Sequence, residues 1–369
     1  MKTLLAPHRC TFHLSFWKWV PALQLLGCSE IVMQTTDETV SNSNPSVTDA
    51  GVVNDTFYVS GQSLMDPCGN PVVLRGVNEM TTFVYQGKDG SSCFGEITQT
   101  HANAIRLYWQ TSDTANDLDR LLLNAEAKRL IAVIYVFNDA ATNSTTTFED
   151  ARAYWTSPDI LPIVIKHRQW LIIALRERSS SGTSAIEANW AANVDAAVQG
   201  LRSAGINVPL AVDAPQFGLD TGALSQSGSE RLLADPRRNI LFSINAWWPN
   251  ASASVIRTNI SLATNAGLPT LVGEFSGYAQ SAPDCQDVTY DWATIIQVAQ
   301  ETHAGWFAWS WGAAANLPPC QGLNMTSNGT YAGLYGWGAQ VASTLLNNPS
   351  SIPNTSVPAT FVPGAGCRK

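Results

Sequence analysis

Eight short runs of β-branched and aromatic residues recur about 30 to 40 residues apart, with helical patterns between them. No Gly-x-Gly-x-x-Gly turn follows the first run, as a doubly wound open sheet would usually require. These observations predict an α/β chain whose parallel strands close into a (β/α)8 TIM barrel.

The elements follow in order. A short N-terminal β-hairpin is expected within "FYVSGQSLMDPCGNPVVLRG", two strands around a Pro-Cys-Gly-Asn turn, placed to close the bottom of the barrel. The barrel runs are "VLRGVN" (73–78), "NAIRLYW" (103–109), "IAVIYVFN" (131–138) and "WLIIALRE" (170–177). "PLAVDA" (209–214), "NILFSINAW" (239–247), "PTLVGEF" (269–275) and "GWFAWSW" (305–311) complete the eight. Between them lie helix patterns such as "NDLDRLLLNAEAKRL" and "IEANWAANVDAAVQGLRSAG", the second stopping at Gly205.

The 369 residues carry a net charge of −8 and no run of Lys or Arg, which argues against a nucleic-acid partner. Only 14% of residues are charged, which suits an exported protein. Lys2, Arg9 and Lys18 with the apolar "WVPALQLLG" look like an export signal over residues 1–28. "LLGC" offers two readings: an ordinary cleaved signal, or a lipobox that lipidates Cys28. Residues 29–55 are polar and read as a flexible tether, 56–348 as the catalytic barrel and 349–369 as a tail. The expected location is secreted, periplasmic or cell-surface, with any membrane contact made only through Cys28, and the chain is read as a monomer. Seven cysteines without a Cys-x-x-Cys spacing argue for disulfides over zinc, and no histidine spacing suits a metal. Cys68–Cys93 and Cys285–Cys320 are the expected pairs, with Cys367 left over.

In such barrels the working residues sit at the C-terminal strand ends. Those ends hold Asn78 and Glu79; Arg106, Tyr108 and Trp109; Asn138 and Asp139; Arg176 and Glu177; Asp213; Asn245 and Trp247; Glu274; and Trp306, Trp309 and Trp311. Two glutamates with an arginine and several tryptophans suit carbohydrate cleavage, since retaining hydrolysis needs an acid and a nucleophile close together. Taken singly, Glu177 reads equally as a rim residue paired with Arg178. Glu274, which ends an apolar strand, needs a partner or a use, and Arg106 is the natural one. Asp139, Asp213 and Asp220 read as loop-capping or hydrogen-bonding residues, and His101, His167 and His303 as structural.

The strand ends resemble glycoside hydrolase family 5, most closely its bacterial endo-β-1,4-mannanase branch. The shared stretches include "DPCGNPVVLRGVNEM", "ANAIRLYW", "NDAAT", "LIIALRE", "AGINVPLAVDA", "LPTLVGEFSG" and "GWFAWSWG", in order from residue 56 to about 340. The resemblance implies Glu177 as acid/base, Glu274 as nucleophile, Arg106 as support for the nucleophile and Trp309 as the platform under the sugar. It implies no metal or organic cofactor. Four positions depart from it. Arg176 stands where the family has the asparagine that holds the sugar 2-hydroxyl. Asn245 and Trp247 replace a histidine and a tyrosine that touches the nucleophile, and Asn138 replaces a histidine. These six pocket positions, with the two glutamates, form the candidate site.

Arg176 leaves three readings open: it turns away, it binds an anionic substrate group, or it marks a retired site. A cation within about 4–6 Å of Glu177 would lower that acid by about 1–3 pH units, the wrong direction for a proton donor. The first expectation is thus a retaining endo-hydrolase of a β-1,4-linked polysaccharide, with β-mannan the leading substrate. The alternatives are a cell-surface glycan-binding protein with weak or no hydrolysis, and a hydrolase of an acidic or sulfated glycan.

Overall fold

The computed structural model describes residues 55–80, 87–138, 146–176, 189–279, 288–312 and 320–346, with two short paired strands at 361–362 and 366–367. The expected export signal and nearly all of the tether, together with Asp139, Glu177, Arg178 and Cys285, lie outside the described residues.

The (β/α)8 TIM barrel is present. Its strands are β4 (Arg75–Glu79), β5 (Ala104–Gln110), β6 (Ile131–Phe137), β7 (Leu171–Leu175), β8 (Leu210–Asp213), β9 (Ile240–Asn245), β10 (Thr270–Phe275) and β13 (Gly305–Ala308). They close in the order β10-β13-β4-β5-β6-β7-β8-β9, and every pair is parallel. A two-stranded ribbon, β11 (Tyr278–Ala279) and β12 (Val288–Thr289), sits in the β10–β13 connection.

Alternation along each strand sorts the side chains. Ile105, Leu107 and Trp109 of β5 join the hydrophobic layer between sheet and helices, while Arg106 and Tyr108 take the other face and enter the barrel. Leu171, Ile173 and Leu175 of β7 pack outward in the same layer. The helices meet it with a matching stripe: Ala115–Ala127 buries Leu118, Leu121, Leu122 and Ala125, at i, i+3, i+4 and i+7. Its start is fixed by Thr114, whose side chain accepts from the Asp117 N–H. The helix Trp190–Ser203 ends two residues before Gly205, whose φ of 87° is left-handed, so the stop signal read in the sequence is used.

The N-terminal hairpin is there and gains a strand: β1 (Tyr58–Ser60), β2 (Ser63–Met65) and β3 (Pro71–Val72) form one antiparallel sheet. It ties to the bottom of the barrel. Asn239, just before β9, accepts from the Val59 N–H at 3.0 Å and donates to Phe57 O at 3.1 Å. Thr56 Oγ1 donates to Arg168 O, just before β7, at 2.7 Å.

The Cys68–Cys93 bridge is not formed. Cys93 is a free, buried thiol that packs in the hydrophobic layer beside Phe94 and Ile97, while Cys68 carries a disulfide to a different cysteine. Burial and the nearby carboxylates of Glu79 and Asp89 push the Cys93 thiol well up, so it behaves as a small apolar side chain. His167 is structural as read: it is buried, with Glu126 2.6 Å from Nδ1 and Asp119 2.8 Å from Nε2.

Candidate active site

One irregularity decides where Glu274 points. Strict alternation would put it on the same face as Val272, which packs outward against the helices. Instead the register of β10 shifts by one residue after Val272, against both β9 and β13: Val272 pairs with Ile244, but Glu274 pairs with Asn245. The extra residue is Gly273. Such a bulge re-aims the side chain that follows it, and Glu274 turns into the barrel. Only glycine fits there, because a Cβ would collide with Ser243 Oγ and press against Asn245.

Inside, Glu274 is 2% exposed and meets four donors. Three converge on Oε1: Arg106 Nη1 at 2.8 Å, Arg176 Nη2 at 2.6 Å, and the Tyr108 hydroxyl in a very short contact. Among the described residues, Oε2 accepts only from Trp247 Nε1, at 2.8 Å. Burial by itself would raise this carboxyl, but Arg176, Arg106 and the Tyr108 hydrogen bond outweigh it and hold Glu274 at about 2. It is a carboxylate at any ordinary pH.

A second carboxylate completes the assembly. Asp213, at the end of β8, accepts from Arg106 Nη2 at 3.3 Å to both oxygens, from Arg176 Nε, and from Asn245 Nδ2 at 3.4 Å. Two guanidinium groups and two carboxylates thus share one buried space, and their charges cancel. Of the two readings of Asp213, loop cap or hydrogen-bonding residue, the geometry takes the second. Asp220, by contrast, does cap: it accepts from the Ala223 N–H at the start of the helix Thr221–Ala234.

Arg176 is the residue that the sequence left most open. It is 1% exposed, and Nε, Nη1 and Nη2 all donate to protein: to Asp213, to the Tyr108 hydroxyl at 2.7 Å, and to Glu274. Its guanidinium lies 4.5 Å from the Phe217 ring centroid and 5.0 Å from that of Tyr135. A planar cation suits such aromatic faces. Phe217 is brought there by the turn after β8, where Gln216 and Phe217 both adopt left-handed φ, 55° and 61°. Two such residues in succession store strain of about 1–3 kcal/mol each, which tends to occur at functional sites. The same turn presents Phe217 O to Asn245 Nδ2 at 2.6 Å.

The other candidates divide. Asn78 joins the cluster, accepting from Arg106 Nη1 at 3.2 Å and donating to Gly273 O at 3.0 Å. Trp309 is buried beside it, edge-on to Tyr108 at 5.2 Å and to Trp247 at 6.3 Å. Trp306 and Trp311 are not beside the cluster but in the hydrophobic layer. Asn138 reaches the start of a helix, where its amide donates to Asp150 Oδ1 at 2.8 Å. Glu79, one residue after Asn78, is fully buried; burial pushes it up to about 7 against the N–H donors of Met80 and Gly312. Among the described residues, no cluster of His, Cys, Asp and Glu could hold a metal ion.

Tyr108 and Asp213 are members that sequence reasoning placed at the strand ends but left out of the candidate site. Period-two spacing from Arg106 was the available signal for Tyr108. For Asp213 it was the end-of-strand position, which the following Ala-Pro disguised as the start of a turn.

Comparison with known proteins bears on this site. Residues 166–315 match the family described as Cellulase (glycosyl hydrolase family 5). The chain is 29% identical over 323 residues to a mannan endo-1,4-beta-mannosidase of Cellvibrio japonicus, covering 84% of this chain and 70% of that protein. It is 26% identical over 314 residues to one from Salipaludibacillus agaradhaerens, covering 82% and 95%. Among solved structures, the catalytic domain of a mannanase from Streptomyces sp. SirexAA-E matches with a TM-score of 0.67 at 25% identity, covering 85% of this chain and 95% of that chain. A β-mannanase of Streptomyces thermolilacinus, solved with mannohexaose, matches with a TM-score of 0.67 at 27% identity, covering 78% and 93%.

Proposed function

We propose that the chain is a member of glycoside hydrolase family 5, a retaining endo-hydrolase of β-1,4-linked polysaccharide with β-mannan its substrate. The observation that carries this is the bulge-aimed Glu274, ionised at the C-terminal end of β10 with one oxygen saturated by donors and the other accepting a single hydrogen bond. Oε2 keeps a lone pair for attack.

In the proposed reaction Glu274 Oε2 bonds to the anomeric carbon as the glycosidic C–O bond breaks, and Glu177 gives its proton to the departing oxygen. A water then attacks the same carbon. Glu177 takes the proton of that water, and Glu274 leaves as the carboxylate it began as. Arg106 and Arg176 hold the nucleophile ionised. Trp247 donates to its attacking oxygen, filling the place of the family tyrosine, and Trp309 supplies the aromatic wall. Export of the chain to the secreted or cell-surface space that holds such polymers belongs to the same proposal.

Arg176 no longer supports the acidic-glycan alternative. Its three nitrogens donate to protein partners and aromatic rings flank it, so it is not presented to a substrate anion. The test uses the protein from residue 56 onward, with Glu274→Ala as control, and assays reducing ends from β-mannan, β-glucan and a sulfated or uronate-bearing panel. Release from β-mannan that vanishes in the control supports the proposal. A folded protein that binds polymer but frees no ends would leave the glycan-binding alternative standing instead.

A further inference from the structure

We propose that Tyr108 is a positioning residue for this reaction: its phenol fixes Glu274 by Oε1, leaves Oε2 to attack, and favours Glu274 as a leaving group in the second step. The inference rests on the retaining reading above. It departs from the family pattern, where the tyrosine on the nucleophile comes from strand six; here strand six supplies Trp247, and the phenol arrives from β5.

The geometry gives the phenol one direction. Its oxygen accepts from Arg176 Nη1 at 2.7 Å and lies 3.4 Å from Arg106 Nη1. Flanked by two cations, it has its single proton left for Glu274 Oε1. The ring is held edge-on between Tyr135, at 5.1 Å, and Trp309, at 5.2 Å. The position of the hydroxyl is therefore set by packing as well as by hydrogen bonds.

Chemistry follows from three donors on one oxygen. When Oε2 bonds to the sugar, the carboxylate becomes an ester and Oε1 its carbonyl. Negative charge leaves Oε1, and the three hydrogen bonds weaken. When water displaces the ester, charge returns and they strengthen. Donors on Oε1 thus oppose formation of the covalent intermediate and assist its breakdown. With two arginines and a phenol there, breakdown is the favoured half, and formation limits turnover.

The measurement compares wild type, Tyr108→Phe and Glu274→Ala on β-mannan and on an aryl β-mannobioside with a good leaving group. In Tyr108→Phe one donor is lost, so Glu274 holds its proton to higher pH and the acid limb of kcat/KM moves up. Breakdown slows about tenfold, the loss expected for one hydrogen bond to a charged group, and a burst of aryl release appears that wild type lacks. An unmoved acid limb with no burst overturns the inference while leaving the two-glutamate mechanism intact. Wild type without hydrolysis, or Glu274→Ala with full activity, overturns the mechanism itself. Should Tyr108→Phe fail to fold, protein grown with 3-fluorotyrosine carries a more acidic phenol of nearly the same size. Its acid limb then moves down; an unmoved limb again overturns the inference.

Discussion

Two buried arginine–carboxylate assemblies sit at opposite ends of the barrel. At the lower end Arg202 and Asp235 meet in a bidentate pair, with both N–O distances 2.9 Å. The remaining arginine donors go to the carbonyls of Ile206, Val208 and Asn239, and Asp235 also accepts from the N–H groups of Arg237 and Asn239. At the upper end Arg106 and Arg176 hold Asp213 and Glu274. Electrostatics alone does not tell the two apart. Burial would raise Asp235, yet Arg202 and the backbone N–H groups hold it below the usual range, as the arginines do Glu274. The difference is acceptor capacity. Protein donors meet both Asp235 oxygens at least twice, whereas Glu274 Oε2 has one among the described residues. A depressed carboxylate marks a charge that is held; a spare lone pair marks one that can react.

Four substitutions press on this contrast. Glu274→Ala is expected to cut reducing-end release by about 10⁴-fold or more, as loss of a nucleophile does, measured on β-mannan at saturating polymer. Asp235→Ala should do the reverse. Stability falls by about 3–5 kcal/mol in denaturant titration, because Arg202 is left buried and unpaired, but turnover per folded molecule is unchanged. Arg176→Asn sits between. Removing one cation raises Glu274, so the acid limb of activity climbs by about 1–3 pH units, with no new preference for anionic polymers. A gain of activity on a sulfated polymer would break the account of Arg176.

The smallest effect concerns Glu79, whose folded pKa of about 7 lies above its ordinary value of 4.5. A carboxyl raised on folding contributes stability that is whole below the ordinary value and is lost as pH rises through the folded one. Wild type should therefore weaken by roughly 3 kcal/mol between those limits, read from melting curves across the range. Glu79→Gln, which cannot ionise, should flatten that part of the curve.

The barrel was legible because its strands are long apolar runs with one possible use. "IAVIYVF" reads as a buried strand, and β6 spans Ile131–Phe137. The Arg106–Glu274 pairing was legible for a similar reason, since a strand-borne arginine must find an acid. What Arg176 does was not legible. Its partners come from β5, β8 and β10, and its aromatic cover from a left-handed turn whose Gln and Phe give no hint of positive φ. Asn138 was legible only as a departure from the family histidine; its amide contact with Asp150 depends on a helix start that its own strand does not announce. Cys93 was paired by proximity in sequence, although its apolar neighbours already accounted for it.

The bulge at Gly273 means that the direction of Glu274 depends on a count of residues and not only on their kinds. Deleting Gly273 would restore regular pairing of β10 with β9 and β13 and send the carboxylate out among the helices. The sheet would lose an irregularity and the pocket its proposed nucleophile. Among descendants of this sequence, then, a change of length by one at this point is more damaging than most changes of letter, and two chains that agree in every strand-end residue need not agree in activity unless they also agree in spacing.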